Sequence, residues 1–204
     1  MQAIILAAGM GKRLGALTRD NTKCMIQVNG VTLIERMMKQ LDRLSPSLEK
    51  IVIVTGYEGE KLKTFLSRLD ISTPVEYVDN PLYASTNNIY SLYLAKEYLL
   101  QDDTLLFESD LIFEDSVIDA LLHHPYPSLA LVAKFESWMD GTVVTLDEDD
   151  NIRQFIPGSK FSYKKKTEYF KTVNIYKFSR EFSRTHYVPF LTAYSKALGN
   201  NEYY

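Results

Sequence analysis

A chain of 204 residues with 46% hydrophobic and 24% charged residues is long enough for one sizeable α/β core, and a single domain over residues 1–204 is expected. The composition excludes a disordered chain, the net charge of −3 argues against a nucleic-acid surface, and the single Cys24 excludes an internal disulfide or a cysteine-based zinc cluster. No stretch approaches the roughly 20 apolar residues that span a bilayer, and the opening apolar run is too short for a signal peptide and follows no basic region, so a soluble cytoplasmic protein with no membrane partner is expected.

Ala3-Ile4-Ile5-Leu6-Ala7-Ala8 reads as a buried strand, since the run has no polar face to turn to water. The turn Ala7-Ala8-Gly9-Met10-Gly11 follows, then the cationic pair Lys12-Arg13, and Lys23 stands ten residues beyond Arg13. Gly9 and Gly11 let backbone N–H groups approach an anion with no Cβ in the way. Lys12, Arg13 and Lys23 can then neutralise phosphate oxygens around the loop. Such a stretch reads as a nucleoside-triphosphate grip. It is not a Walker A loop, because Leu6 occupies the first glycine position and Arg13 follows Gly11-Lys12. Nor is it a dinucleotide fingerprint, because Leu14 stands in the third glycine place.

Cys24 to Val28 is expected to be extended, with Asn29-Gly30 as a turn. Leu33 to Leu44 has helical spacing of its apolar residues, and Ser45-Pro46-Ser47 ends it. Lys50 to Thr55 is an apolar, β-branched strand, followed by a helix over Gly59 to Leu69 and a strand over Pro74 to Val78. This alternation implies parallel pairing with helices on both faces. Ligands of such sheets sit at the carboxyl ends of the strands, where Gly9, Gly56 and Asn80 are expected to meet.

Asp79 to Asn88 is polar and unlike a core segment, and it leads into a helix over Ile89 to Leu100. Ser85, Thr86 and Asn87 offer the mixed donors and acceptors that a base edge requires, although the same residue types are preferred as helix N-caps. Thr104 to Phe107 is a strand delivering Glu108-Ser109-Asp110 at its end. A carboxylate there suits a Mg²⁺ that bridges triphosphate oxygens, which makes Asp110 the candidate metal ligand; capping of the next turn is the plainer role. Asp115 to Leu122 is a helix, Leu129 to Lys134 and Gly141 to Leu146 are strands, and Asp147 to Asn151 is a hairpin turn before Ile152 to Phe155. Lys171 to Phe178 is a last strand ahead of a helical, aromatic tail. His123-His124 reads as a helix end, Lys164-Lys165-Lys166 as a solvated loop, and Asp147 to Asp150 as an exposed turn without the glycine and glutamate of a calcium loop.

Residues 6–15, LAAGMGKRLG, with the downstream Lys23 resemble the signature of the nucleotidyltransferases that make sugar nucleotides and CDP-alcohols. That pattern is LAAGxGxRL and a lysine usually preceded by proline; Thr22-Lys23 stands here instead. Phe107-Glu108-Ser109-Asp110 resembles the metal-binding aspartate motif of the same family. Asn87-Asn88-Ile89-Tyr90-Ser91-Leu92-Tyr93 resembles a run in the CTP-dependent cytidylyltransferases acting on phosphocholine or 2-aminoethylphosphonate. Residues 106–114 and 171–178 look closer to the aminoethylphosphonate enzymes, which often carry an aminotransferase domain behind the transferase.

The resemblance implies a Rossmann-like, doubly wound, mostly parallel mixed sheet. It implies a nucleotide site at Leu6, Ala7, Ala8, Gly9, Met10, Gly11, Ser85, Thr86 and Asn87. It also implies transfer of CMP to an amino-phosphonate or amino-phosphate with release of pyrophosphate, Lys23 serving the α-phosphate, Lys12 and Arg13 the pyrophosphate, and Asp110 the Mg²⁺. Glu136, Trp138 and Asp140 share one loop and suit an ammonium-bearing acceptor, through carboxylates or an aromatic face. Relatives carry a second acidic ligand in a late strand, and the chain reaches Asn201-Glu202-Tyr203-Tyr204 without it, so a fragment of a longer protein is expected. A sugar-phosphate nucleotidyltransferase and a non-catalytic nucleotide sensor are the competing expectations.

Overall fold

The computed structural model describes residues 1–197, and the final Asn201 to Tyr204 lie outside the described residues. The chain divides into two compact units, Met1–Leu129 with the segment from Lys177 onward, and Ala130–Tyr176. The α/β class expected from the sequence holds.

In the first unit, β1 (Gln2–Ala7) is buried at every position. Two short antiparallel strands follow, β2 (Gln27–Val28) and β3 (Val31–Thr32), joined through Asn29 and Gly30 at φ 53° and 78°. Both left-handed values are what a two-residue hairpin turn demands. Helix α1 (Leu33–Asp42) starts at Thr32, whose hydroxyl accepts from the Glu35 N–H at 3.1 Å. Thr32-Leu33-Ile34-Glu35 thus has the capping-box sequence, with a cap worth about 1 kcal/mol. Leu33, Ile34, Met37, Met38 and Leu41 form its buried stripe.

Strand β4 (Lys50–Thr55), helix α2 (Gly59–Leu66) and strand β5 (Val75–Asp79) come next. The expected helix over Ile89 to Leu100 is instead two, α3 (Asn88–Leu94) and α4 (Lys96–Leu99), broken at Ala95 where φ −89° and ψ 7° leave the helical region. Beyond the break, the Tyr98 hydroxyl donates to Glu76 at 2.8 Å. Strand β6 (Thr104–Glu108) and helix α5 (Asp115–His123) complete this stretch.

These strands order as β5-β4-β1-β6, all parallel. Parallel strands flanked by helices are buried on both faces, which is why β1 and β4 are runs of apolar residues and do not alternate. Each buried Ile, Leu or Val side chain contributes about 1.5–3 kcal/mol relative to exposure. In register, Leu6 faces Glu108, Ala7 faces Thr55, and Thr55 faces Asp79. The carboxyl ends of the four strands therefore share one edge.

The second unit contains antiparallel pairs. Strand β7 (Leu129–Lys134) pairs β10 (Phe170–Phe178), and β10 pairs antiparallel with β8 (Val143–Leu146), which pairs antiparallel with β9 (Ile152–Ile156). The expected hairpin turn lies between β8 and β9, with Asp150 at φ 61°. Lys164 to Lys166 lie in an exposed 3₁₀ turn, Tyr163–Glu168. Phe135 and Tyr169 pack on Phe161 at ring separations of 4.8 and 5.1 Å. After β10 the chain forms α6 (Arg180–Phe182), a π-helical turn over Ser183–Tyr187, and α7 (Val188–Ala197).

Candidate active site

The strand-end edge of the first unit is joined by backbone hydrogen bonds. The Tyr57 N–H donates to the Ala8 carbonyl at 3.1 Å, Asn80 to Thr55 at 2.8 Å, and Ser109 to Leu6 at 3.2 Å. Gly56 sits so tightly that a Cβ there would lie 2.7 Å from Tyr83 Cβ and 2.8 Å from the Ala8 carbonyl oxygen. The expected meeting of the segments after β1, β4 and β5 is therefore realised, and the segment after β6 joins them.

The glycine loop is built asymmetrically. Gly11 has φ +61°, and a Cβ on it would lie 3.0 Å from Thr18 Cγ2 and 3.3 Å from Lys23 Cβ. The Gly11 carbonyl accepts from the Leu14 N–H at 2.9 Å and the Thr18 hydroxyl at 3.0 Å, closing the loop on itself. Nothing lies within 4 Å of a Cβ built on Gly9, so packing demands glycine at 11 and leaves space above 9. Leu6, Ala7 and Ala8 are buried, Met10 is half-buried, and Lys12 and Arg13 are exposed. Neither cation has an ion pair among the described residues.

Lys23 opens a 3₁₀ turn, Lys23–Met25, held by Met25 N–H to Thr22 carbonyl at 3.0 Å and Ile26 N–H to Lys23 carbonyl at 3.2 Å. This corrects the extended segment expected from Cys24: its first two residues are a turn, because local hydrogen bonds replace strand pairing until Gln27. The turn presents the Lys23 ammonium to Asp110, and the two form an ion pair. Asp110 is 17% exposed and Lys23 36%. Cys24 is buried beneath, and burial pushes its thiol up from 9.0 to about 11, against opposing hydrogen bonds from Thr22 and Ser109. At neutral pH it is a thiol, not a nucleophile.

The polar segment before α3 turns out to be organised by Asn80, which is 2% exposed. Its amide donates to Thr86 Oγ1 at 3.1 Å and Ser91 Oγ at 3.0 Å, and its oxygen accepts from the Leu82 N–H at 2.9 Å. The Thr86 and Ser85 hydroxyls donate to the Leu82 carbonyl at 2.7 and 3.3 Å. Asn87 takes the N-cap position of α3 without a side-chain capping bond. Asn88, part of the Asn87 to Tyr93 run but not among the candidate site residues, donates to Glu108 Oε1 at 2.7 Å. A signal existed: a carboxylate two residues before Asp110, at the end of a buried strand, requires a donor.

Glu136, Trp138 and Asp140 belong to the second unit. The Trp138 indole N–H donates to Glu136 Oε2 at 3.1 Å, while the ring is 75% exposed. Asp140 accepts from the Gly141 N–H at 2.6 Å. The His pair behaves as expected of a helix end: His123 bonds the Asp119 carbonyl at 2.8 Å, and His124 closes α5.

A family model described as the MobA-like NTP transferase domain matches residues 3–156. The 2-aminoethylphosphonate cytidylyltransferase of Lancefieldella rimae is 34% identical over 163 residues, covering 79% of this chain and 63% of that protein. The CMP-5'-(3-aminopropyl)phosphonate synthase of Streptomyces rubellomurinus is 28% identical over 208 residues, 100% of this chain and 32% of that one. The chain thus spans 32% and 63% of the length of these two curated relatives. The solved CTP:phosphocholine cytidylyltransferase of Streptococcus pneumoniae superposes with a TM-score of 0.72 at 23% identity, covering 97% of this chain and 78% of that one, which establishes the shared fold.

Proposed function

From the premise that this chain belongs to the MobA-like NTP transferase family, we propose that it is a CTP-dependent cytidylyltransferase whose acceptor is 2-aminoethylphosphonate. The observation that carries the reading is the Lys23–Asp110 pair at the strand-end edge, with the Gly11 loop packed against the lysine stem. The relatives named for aminoalkylphosphonates support the choice of acceptor.

In the proposed reaction a phosphonate oxygen of the acceptor attacks the α-phosphorus of CTP. A new P–O bond forms as the bond to the β-phosphate breaks, and pyrophosphate leaves with the electron pair. No protein group need be covalently modified; positioning and charge neutralisation supply the rate. Backbone N–H groups of residues 9–11 cradle the phosphates. Lys23 serves the α-phosphate and the entering oxyanion, and Lys12 and Arg13 hold the departing pyrophosphate. Ser85, Thr86 and Asn87 border the base.

The donor set fits a magnesium ion, because Mg²⁺ is commonly held by one or two protein carboxylates together with substrate phosphates. Asp110 would hold it, and the ion would supply charge neutralisation at the triphosphate. Glu136, Trp138 and Asp140, in the second unit, carry the carboxylates and the aromatic face that suit an ammonium group.

Phosphocholine is the second acceptor reading, favoured by the exposed face of Trp138, which suits a quaternary ammonium. The test is pyrophosphate release with Mg²⁺, offering CTP or UTP with each acceptor in parallel. Faster release with CTP and the phosphonate supports the reading. Preference for phosphocholine moves the assignment to the second acceptor. CTP binding without turnover for either acceptor would indicate a nucleotide sensor.

A further inference from the structure

Tyr57, just past β4, bonds the chain on both sides of the glycine loop. Its N–H donates to the Ala8 carbonyl at 3.1 Å, where the loop leaves β1. Its hydroxyl donates to the Arg19 carbonyl, where the loop returns. From the first turn of α2, the Lys61 ammonium donates to the next carbonyl, that of Asp20. The tyrosine is aimed by its surroundings. Glu58 takes a left-handed φ of 52°, and the Gly59 N–H bonds the Gly56 carbonyl at 3.0 Å, so the chain turns sharply between β4 and α2. The Tyr57 ring lies against that of Tyr83, centroids 6.0 Å apart at 58°. Tyr83 belongs to the segment that Asn80 organises, and its N–H bonds the Asn80 carbonyl at 3.4 Å.

The stretch between the two clipped points is built from local turns. Residues 8–22 contain no strand. Lys12–Thr18 is 3₁₀, kinked at Gly15, and the Leu14 N–H and Thr18 hydroxyl bond the Gly11 carbonyl inside the same loop. Such bonds fix the loop's shape and leave its position to contacts from outside. Lys12 and Arg13 stand on this stretch.

We propose that Tyr57, with Lys61 beside it, is a positioning residue that clips the loop between Ala8 and Asp20 closed, and so holds the backbone carrying Lys12 and Arg13 before a nucleotide arrives. Closing a loop costs chain entropy, and bonds already made in the free protein spare the nucleotide that cost. A phenol suits the task, because its ring is seated on Tyr83 and its hydroxyl is a donor at neutral pH.

Tyr57→Phe removes the hydroxyl and keeps the ring, and Lys61→Met removes the ammonium and keeps the stem. Hydrogen exchange of the free protein, followed by mass spectrometry, reads the loop without turnover. Each lost bond is expected to speed exchange over residues 12–22 by about threefold to tenfold, and both together by about tenfold or more, with β1 and β4 exchanging as in the wild type. Unchanged exchange over 12–22 in the double variant would overturn the proposal. Equal acceleration in β1 and β4 would overturn it too, since the fold and not the loop would have loosened.

The kinetic arm rests on the cytidylyltransferase reading and uses pyrophosphate release from CTP by the full chain. Apparent affinity falls with the fraction of protein whose loop is closed. Tyr57→Phe/Lys61→Met is therefore expected to raise the CTP KM by about threefold or more, with kcat within about twofold. In a Lys12→Ala/Arg13→Ala background the same two substitutions should change KM by less than about twofold, because the clip acts through those cations. An unmoved KM, or one raised equally in both backgrounds, would overturn the proposal. A wild type inert toward CTP with every acceptor would remove the proposed function and leave the clip to be decided by exchange.

Discussion

The ammonium of Lys23, in the turn that follows β1, and the carboxylate of Asp110, just past the end of the neighbouring strand β6, close on each other as an ion pair at the strand-end edge. Each group is thus placed by its partner before any nucleotide arrives, and each carries a charge that a triphosphate feels with opposite sign. Replacing Lys23 by alanine is expected to reduce pyrophosphate release by about a hundredfold or more, as for other donors aimed at developing oxyanions. Asp110→Asn separates two effects. Without divalent metal it is expected to bind CTP about fivefold more tightly than the wild type, the value of about 1 kcal/mol for one charge at 4 Å in water. With Mg²⁺ it turns over more slowly. Calorimetric titration in EDTA reads the first effect, and weaker or unchanged binding there would place the triphosphate away from Asp110.

Gly9 and Gly56 should part company on substitution by alanine. A Cβ at Gly56 meets Tyr83 and Ala8 atoms at 2.7–2.9 Å, two of the three on β1's end. Overpacking of this kind costs about 1–3 kcal/mol, visible as a lowered denaturation midpoint. Gly9 has open space and an unstrained backbone, so Gly9→Ala should leave stability within about 0.5 kcal/mol of the wild type. CTP affinity, by contrast, should drop, because the methyl group enters the space that the phosphates need.

Asp42 contributes to the acid limb of stability. Its Oδ1 accepts from the N–H and hydroxyl groups of both Ser72 and Thr73 at 2.7–3.0 Å. Burial pushes the carboxyl up, but these bonds outweigh it and hold it below its ordinary 3.8. A carboxyl depressed on folding stabilises fully above its unfolded value and loses that contribution as pH falls through the folded one. Asp42→Ala should therefore cost about 1.5–3 kcal/mol at neutral pH. The gap to the wild type should narrow below pH 3.8. Urea melts across the acid range measure it, and a gap independent of pH would assign the effect to packing.

Trp138 is the chain's single tryptophan and its ring is 75% exposed. Tryptophan emission, excited selectively over that of the 14 tyrosines, therefore reports on the Glu136 to Asp140 loop. An acceptor bound there should shift the emission to shorter wavelength, and Glu136→Gln should weaken the response by releasing the indole N–H from a carboxylate. No change with saturating acceptor, in enzyme that turns over, would locate the acceptor elsewhere.

Much of the site could be read from residue order because its parts are local. Apolar runs at Ala3 to Ala8 and Lys50 to Thr55 have no polar face, so they had to be buried strands. Glycines beside cations at 9–13 declare an anion loop by backbone geometry alone. What residue order concealed depends on contacts between distant segments. The polar run 80–88 offered Ser85, Thr86 and Asn87 as equals, yet Asn80 engages Thr86, and Asn88 answers Glu108. Helix propensity could not disclose the break at Ala95 or the bond from Tyr98 to Glu76 beyond it.

The sequence by itself determined the alternation of strands and helices, the parallel pairing in the first unit, the phosphate-type loop and the family signature, because each follows from periodicity or from a handful of adjacent residues. The tertiary structure alone decided that Lys23 meets Asp110, that a buried thiol lies beneath them, and that Gly11 is fixed by packing while Gly9 is open. The reason is physical. Backbone preference and hydrophobic patterning act over a few residues, whereas ion pairs and steric contacts act through space, and only the parallel register brings residues 11, 23 and 109–110 within reach of one another.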